Sequence, residues 1–332
     1  MSDPLRTHGD AFVGPGVLDF AVNVWPTPPS PALRATLERA LADSAPYPDE
    51  RPAREAVARR HGRPPGEVLV LNGACEAFWL IAHALRPRHA VCVHPAFTEP
   101  EAALRATGAP VTRVQRPSGD WRLIPDDVPP EADLVVLGNP NNPTGNLDPA
   151  DTIAALAAPH RVLVVDESFL ELTEHPHQSL AGRGELPGLV VVRSLTKLWG
   201  LAGLRAGYLL APPELVAALE AQRQPWSVNA AALAALEYCA MDTATPPGVA
   251  RDVASARADL LARLGALGHV FAWPATANFV LLAVPNGEAT VDRLAAQSIA
   301  VRRASTFPGL TGDHLRVAVR CPADHQRLVG AL

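Results

Sequence analysis

The chain has 332 residues with 29 basic against 34 acidic side chains, and its net charge of −5 gives nucleic acid and anionic membrane surfaces nothing to hold. Hydrophobic residues at 48% against charged residues at 19% supply a buried core and exclude a disordered chain. The length, beyond roughly 250 residues, predicts two compact units, and the scattered prolines and glycines fit many short connections without a repeat.

The opening ten residues carry neither an apolar core nor a cleavage-like run, and no stretch of about 18 apolar residues follows, so a cytoplasmic protein with no membrane span is expected. A proline-rich entry over 25–31 precedes a helix predicted over 32–41, whose apolar spacing is broken by Pro46 and Pro48. Short apolar runs at 68–71, 90–94, 134–137, 162–165, 189–192 and 206–210 read as strands, with helices at 74–85 and 149–157 among them. Such alternation predicts an α/β fold whose mostly parallel sheet is flanked by helices on both faces. Beyond residue 212 the pattern changes to long Ala/Leu-rich helices at 213–222, 230–240 and 249–267, then to regular segments at 279–283, 291–297 and 315–319 and a closing helix from 323. The expected organisation is a large domain over 31–225 and a smaller α+β C-terminal domain over 226–332, with residues 1–30 packing on the smaller one.

Cys75, Cys92, Cys239 and Cys321 lie far apart with no Cys-x-x-Cys pair, so reduced core cysteines are expected rather than zinc or disulfides. His175 and His177 alone do not make a metal site and are expected at the surface, and no metal is expected elsewhere. Arg320 is expected to face solvent. All but one of the basic residues are arginine; the exception is Lys197. A chain that replaces lysine nearly everywhere keeps it where arginine cannot serve, which is where the nitrogen must lose its proton and attack a carbonyl to form a Schiff base.

Four turns surround that lysine in sequence order. Asn72-Gly73-Ala74-Cys75-Glu76 joins a strand to a helix N-terminus, a place suited to phosphate. Asn139-Pro140-Asn141-Asn142-Pro143-Thr144-Gly145 follows the 134–137 strand as a rigid loop, at the strand end where open α/β sheets bind ligands. Asp166-Glu167-Ser168-Phe169 puts a carboxylate at the mouth of a buried strand, where it needs a cationic partner. Ser194-Leu195-Thr196-Lys197 with Arg205 would close a phosphate pocket around an aldehyde attached to the lysine.

This ordered set resembles the fold-type I pyridoxal-phosphate enzymes, in the aminotransferase branch that includes the histidinol-phosphate aminotransferases, over nearly the whole chain. The resemblance implies an aspartate aminotransferase-like fold and pyridoxal 5′-phosphate as cofactor. By it, Lys197 would carry the cofactor and shuttle protons, Asp166 would pair with the pyridine nitrogen, and Asn142 would meet the ring oxygen. Ser194, Arg205 and the backbone of Ala74 and Cys75 would hold the phosphate, and Phe97 would stack on the ring. Tyr47 would cross to the phosphate of the other subunit of a homodimer, and Arg316 would clamp the substrate carboxylate. Phe169 stands where many relatives carry tyrosine, so the ring oxygen would lose a hydroxyl donor.

His8-Gly9, Pro225-Trp226-Ser227-Val228-Asn229, Thr276-Ala277-Asn278-Phe279, Val301-Arg302 and Phe307-Pro308-Gly309-Leu310 are similar to the threonine-phosphate decarboxylases, although Asp10 stands where that group more often has a second glycine. Arg302 and His8 would then hold a substrate phosphate. Arg303 is the weaker choice, because neighbours on a strand point to opposite faces. The expected reaction is decarboxylation of L-threonine O-3-phosphate, or of a related phosphorylated or phosphono amino acid, as in cobalamin-type aminopropanol phosphate synthesis. Transamination of histidinol phosphate is the alternative. A pyridoxal-phosphate-binding regulator would need an added DNA-binding domain, and motifs that begin at His8 leave no room for one.

Overall fold

Strands with apolar side chains on both faces must be covered from both sides, and that requirement organises this chain. The computed structural model describes residues 3–332; Met1 and Ser2, counted above in the N-terminal segment, lie outside the described residues. The first half runs β1 (Leu18–Phe20), α1 (Pro31–Ala42), α2 (Arg51–His61), β2 (Val68–Asn72), α3 (Cys75–Leu85), β3 (Ala90–His94), α4 (Glu99–Ala106), β4 (Val111–Gln115), β5 (Leu134–Gly138), α5 (Ala150–Ala154) and β6 (Val162–Asp166). It continues through β7 (Leu189–Ser194), β8 (Ala206–Leu210), α6 (Pro213–Glu220), α7 (Ala230–Met241), α8 (Thr245–Gly265), β9 (Phe271–Ala272), β10 (Phe279–Ala283), α9 (Gly287–Ala296), β11 (Ile299–Arg303), β12 (His314–Ala318) and α10 (Pro322–Ala331).

Among the described residues seven strands form one sheet in the order β2-β8-β7-β6-β5-β3-β4. Strand β8 runs antiparallel to both its neighbours, and the other pairings are parallel. Register brings the strand ends together: Gly138 lies opposite Asp166, Asp166 opposite Val192, Ser194 opposite Gly207 and Asn72 opposite Ala206. The glycine turn, the Asp166 carboxylate and the lysine loop therefore emerge along one edge.

A second sheet has the order β1-β11-β12-β10-β9, with β1 parallel to β11. Leu260, Leu264, Leu294 and Leu328 cover it from α8, α9 and α10, packing with Val280, Leu282 and Val317. Since β1 belongs to this sheet, the chain between Phe20 and α1 must pass back toward the larger one. Arg320 fixes that passage and does not face solvent as expected: it is 7% exposed. Its guanidinium donates to the carbonyl oxygens of Asp19 (2.7 Å), Val22 (2.6 Å), Val24 (3.2 Å) and Val319 (3.0 Å). A polar end on β12 looks like solvent exposure only while the returning segment is unknown.

Strand β4 and helices α2 and α4 are among the elements with no counterpart in the predicted set. Strand β4 is an edge strand that buries Val114 but exposes Thr112, Arg113 and Gln115, so no apolar run marks it. The buried face of α2 consists of Ala53, Ala56, Val57 and Ala58 among arginines, a stripe of little hydropathy that packs on α7. Helix α4 buries Glu99 and Glu101, which hydropathy reads as surface. Helix α8 begins at Thr245 rather than 249, because its prolines occupy the first turn, where their missing N–H costs nothing. Cys92 and Cys239 are core residues, but Cys75 is half-buried and Cys321 exposed, contrary to a wholly internal set. Among the described residues no helix is long and apolar enough to cross a membrane.

Replacing Arg320 with alanine strands several enclosed carbonyls and should lower stability by about 2–4 kcal/mol. A urea unfolding midpoint equal to that of the wild type would contradict this role.

Candidate active site

Each turn at the sheet edge is shaped by a close approach. Gly73, at φ 78°, leaves room for the Arg205 guanidinium, which a Cβ would displace. On β8, Gly207 lies so near the same turn that a Cβ would stand 2.5 Å from the Ala74 nitrogen and 2.9 Å from the Arg193 carbonyl oxygen. Ala74, at the N-cap of α3, supplies no side-chain acceptor, so the helix dipole and its first N–H groups face outward. Behind the lysine loop, the Trp25 N–H donates to the Lys197 carbonyl at 2.9 Å, tying the returning N-terminal segment to it.

A cavity of about 140 Å³ opens along this edge, lined by Ala74, Cys75, Phe97, Asn142, Asp166, Phe169, Ser194, Thr196, Lys197 and Arg205. It gathers every residue expected to hold the cofactor except Tyr47. Its lining combines hydroxyls, a guanidinium and the start of a helix with a carboxylate, an aromatic ring and an amine. That donor set fits a planar, phosphorylated aldehyde with a basic ring nitrogen. Ser194 Oγ and Thr196 Oγ1 are 2.7 Å apart, making Thr196 a second hydroxyl beside Ser194.

Burial, with the nearby charge of Arg316, lowers the Lys197 amine from its ordinary value to about 8; Asp166 opposes this and Arg205 adds to it. Burial also raises the Asp166 carboxyl, against the Ser168 N–H that donates to its Oδ1 at 2.9 Å and against Lys197. Where a tyrosine hydroxyl was looked for, Phe169 is buried, meets Phe279 edge to face at 4.9 Å and lies 5.6 Å from Lys197 Nζ.

Arg316 is buried, donating Nη1 to Asn142 Oδ1 at 2.6 Å and Nη2 to the Ala21 carbonyl at 2.5 Å, while its Nε has no partner among the described residues. Arg302 lies directly opposite it in the β11–β12 register, so both side chains rise from one face. Its Nη2 donates to the Thr7 carbonyl (2.5 Å) and Thr306 Oγ1 (2.7 Å), and its Nη1 to the Arg303 carbonyl (2.8 Å). Burial, then mutual repulsion, holds Arg316 well below the usual guanidinium range, and burial brings Arg302 to about 10. Guanidinium groups keep their proton in such places, so the direction signals a site that an anion relieves. Arg303 points the other way, toward Asp292.

His8 stands 5.8 Å from the Phe97 ring, with its Nε2 2.7 Å from Glu99 Oε1. Tyr47 is elsewhere, 76% exposed and stacked on Trp226 at 4.2 Å. His175 and His177 are exposed, and no group of three or more metal-capable side chains exists among the described residues. Sequence reasoning missed Thr306, Glu99 and Asn23. Asn23 is 4% exposed with neither side-chain atom partnered, between the two carbonyls that Arg320 holds. Nothing in Ala-Val-Asn-Val-Trp marks it, since it lies in neither a turn nor a glycine loop.

The family model for aminotransferase class I and II matches residues 15–332. The chain is 43% identical over 320 residues to a histidinol-phosphate aminotransferase of Mycobacterium tuberculosis, covering 95% of this chain and 87% of that one. It is 32% identical over 332 residues to the threonine-phosphate decarboxylase of Salmonella typhimurium, covering 95% and 90%. In fold it is similar to a histidinol-phosphate aminotransferase from Clostridium acetobutylicum, with a TM-score of 0.89 at 24% identity over 95% of this chain and 98% of that one.

Borohydride reduction of protein loaded with pyridoxal phosphate should fix the pyridoxyl group on the tryptic peptide 194–205. Only the neutral amine attacks an aldehyde, so the rate at which cofactor-free protein takes up colour should rise with pH around a midpoint near 8. A midpoint at the ordinary lysine value, or recovery of unmodified Lys197, would count against it.

Proposed function

The chain belongs to the aminotransferase class I and II family of pyridoxal-phosphate-dependent enzymes, and we propose that its substrate carries two anionic groups, the leading reaction being decarboxylation of L-threonine O-3-phosphate or a closely related phosphorylated amino acid. The observation that carries this reading is the pair Arg302 and Arg316, buried and directly opposed in register, each held by neutral oxygens. Two enclosed like charges repel until two negative groups separate them.

In this reading Lys197 carries the cofactor, Asp166 holds the proton of the ring nitrogen, and Asn142 meets the ring oxygen. Ser194, Arg205 and the backbone of Ala74 and Cys75 grip the phosphate, and Phe97 covers the ring. Pyridoxal phosphate supplies an electron sink for whichever bond at the substrate's Cα breaks. Arg316 takes the carboxylate end and Arg302, with His8, the distal phosphate. Held at both ends, the substrate cannot rotate freely, and the grips select the bond that is weakened. With its amine near 8, Lys197 Nζ is largely protonated at neutral pH and can deliver a proton to Cα after carbon dioxide leaves. Its neutral fraction can take one from the same atom.

Tyr47 and Trp226 form an exposed aromatic pair, and we assign that pair to the interface of a homodimer, with Tyr47 reaching the phosphate of the second copy. Transamination of histidinol phosphate is the second reading. The 43% identity to the Mycobacterium tuberculosis protein of that name favours it.

Carbon dioxide should appear when the enzyme is given O-phospho-L-threonine. Arg302→Ala should lose about 2–4 kcal/mol of transition-state stabilisation, roughly 30- to 1000-fold in kcat/KM for the phosphorylated substrate, with far less loss for L-threonine. Conversion of histidinol phosphate with 2-oxoglutarate, and no carbon dioxide from phosphothreonine, would establish the second reading instead.

A further inference from the structure

Glu99 opens α4 and is 5% exposed. Every donor group around it comes from the N-terminal segment or from α3. Oε1 accepts from His8 Nε2 at 2.7 Å and lies 3.6 Å from Arg6 Nε, while Oε2 accepts from Trp79 Nε1 at 3.2 Å and lies 3.7 Å from Cys75 Sγ. Burial would raise the Glu99 carboxyl, but these donors outweigh it and hold the group below its ordinary value, as an anion. Arg6 also lies over the Trp79 ring at 5.0 Å.

The same stretch is fastened twice more. Thr98 Oγ1 donates to the Leu5 carbonyl at 2.6 Å, and Arg302 Nη2 donates to the Thr7 carbonyl at 2.5 Å. Residues 5–8 therefore form a strap with one anchor on α4, beside the larger sheet, and one on β11, in the second sheet. His8 directly follows the second anchor, next to Phe97.

We propose that Glu99 is a positioning residue that holds His8 by Nε2 and so presents its Nδ1 to the distal phosphate of the substrate, beside Arg302. The two ring nitrogens of a histidine are distinct, and a carboxylate on one fixes the proton there and the orientation of the ring. Among the described residues Nδ1 has no hydrogen-bond partner, so it is the atom left to meet a ligand; when the ring carries both protons it donates to a phosphate oxygen. The strap then acts as part of the binding site. Its backbone meets the Arg302 guanidinium at Thr7, and the side chain of the next residue adds a second donor there. The inference rests on the two-anion substrate reading.

The test is a spectral titration of cofactor-loaded wild type, Glu99→Gln, His8→Ala and the double variant, with O-phospho-L-threonine and with L-threonine. Glu99→Gln keeps the shape and an acceptor for Trp79 but removes the charge. It should weaken phosphothreonine binding roughly 10-fold and threonine binding far less, and it should add little in the His8→Ala background. The visible spectrum of the unliganded protein should not change. Equal weakening for both ligands, together with faster tryptic cleavage after Arg6, would make Glu99 only a clamp on the strap and overturn the proposal, as would full additivity with His8→Ala. If wild type itself does not prefer phosphothreonine to threonine, the failure lies with the substrate reading.

Discussion

Arg205, Arg302 and Arg316 reach the cleft without a carboxylate partner among the described residues. Their tethers are the Ala202 carbonyl for Arg205, the Thr7 and Arg303 carbonyls with Thr306 for Arg302, and the Ala21 carbonyl with Asn142 for Arg316. Three arginines away from the cleft meet carboxylates instead: Arg193 with Glu167, Arg116 with Asp148, Arg223 with Glu50. A carbonyl fixes a guanidinium in place through its dipole, without cancelling the net charge. The cleft thus keeps a positive field, and Lys197 lies inside it. The charge of Arg316 adds to burial in lowering the Lys197 amine, and the same arrangement would attract an anionic ligand.

The second sheet supports this arrangement through the segment that follows β1. The Ala21 carbonyl is available to Arg316 only because β1 pairs with β11 and because Arg320 gathers the carbonyls on either side of the turn that follows. Trp25 then passes the lysine loop, and Gly200, at φ 67°, lets Thr27 approach so closely that a Cβ would meet its carbonyl oxygen at 2.5 Å. The N-terminal segment is therefore a wall of the site, tied to the Lys197 backbone on one side and to Arg302 and Arg316 on the other.

The strands β2, β3, β5, β6, β7 and β8 could be read from sequence because burial on both faces writes an unbroken apolar run. The turns at their ends could be read because turns demand particular residues: Gly73 and the Asn139–Gly145 loop carry their geometry in their composition. Strand β4 and helix α2 could not, since an edge strand and an alanine face need few large apolar groups. Glu99 could not either. Its partner His8 is 91 positions away, and a lone glutamate in a helix reads as solvated surface. Arg320 failed for the same reason, as its acceptors are carbonyls of a segment about 300 positions earlier, at separations of 301, 296 and 298. Sequence signals are local, whereas the second layer of this site is built from distant contacts.

The single lysine has a practical side. Acylating dyes, bifunctional amine cross-linkers and amine-reactive resins find no side-chain amine on the surface of this protein, and the one they can reach is half-buried at the bottom of the cleft. Reagents that decorate most enzymes harmlessly would here mark Lys197 or nothing beyond the chain's own α-amino group. A resident cofactor on that nitrogen would shield it, so amine reactivity itself becomes a gauge of occupancy, readable on unfractionated protein without a substrate.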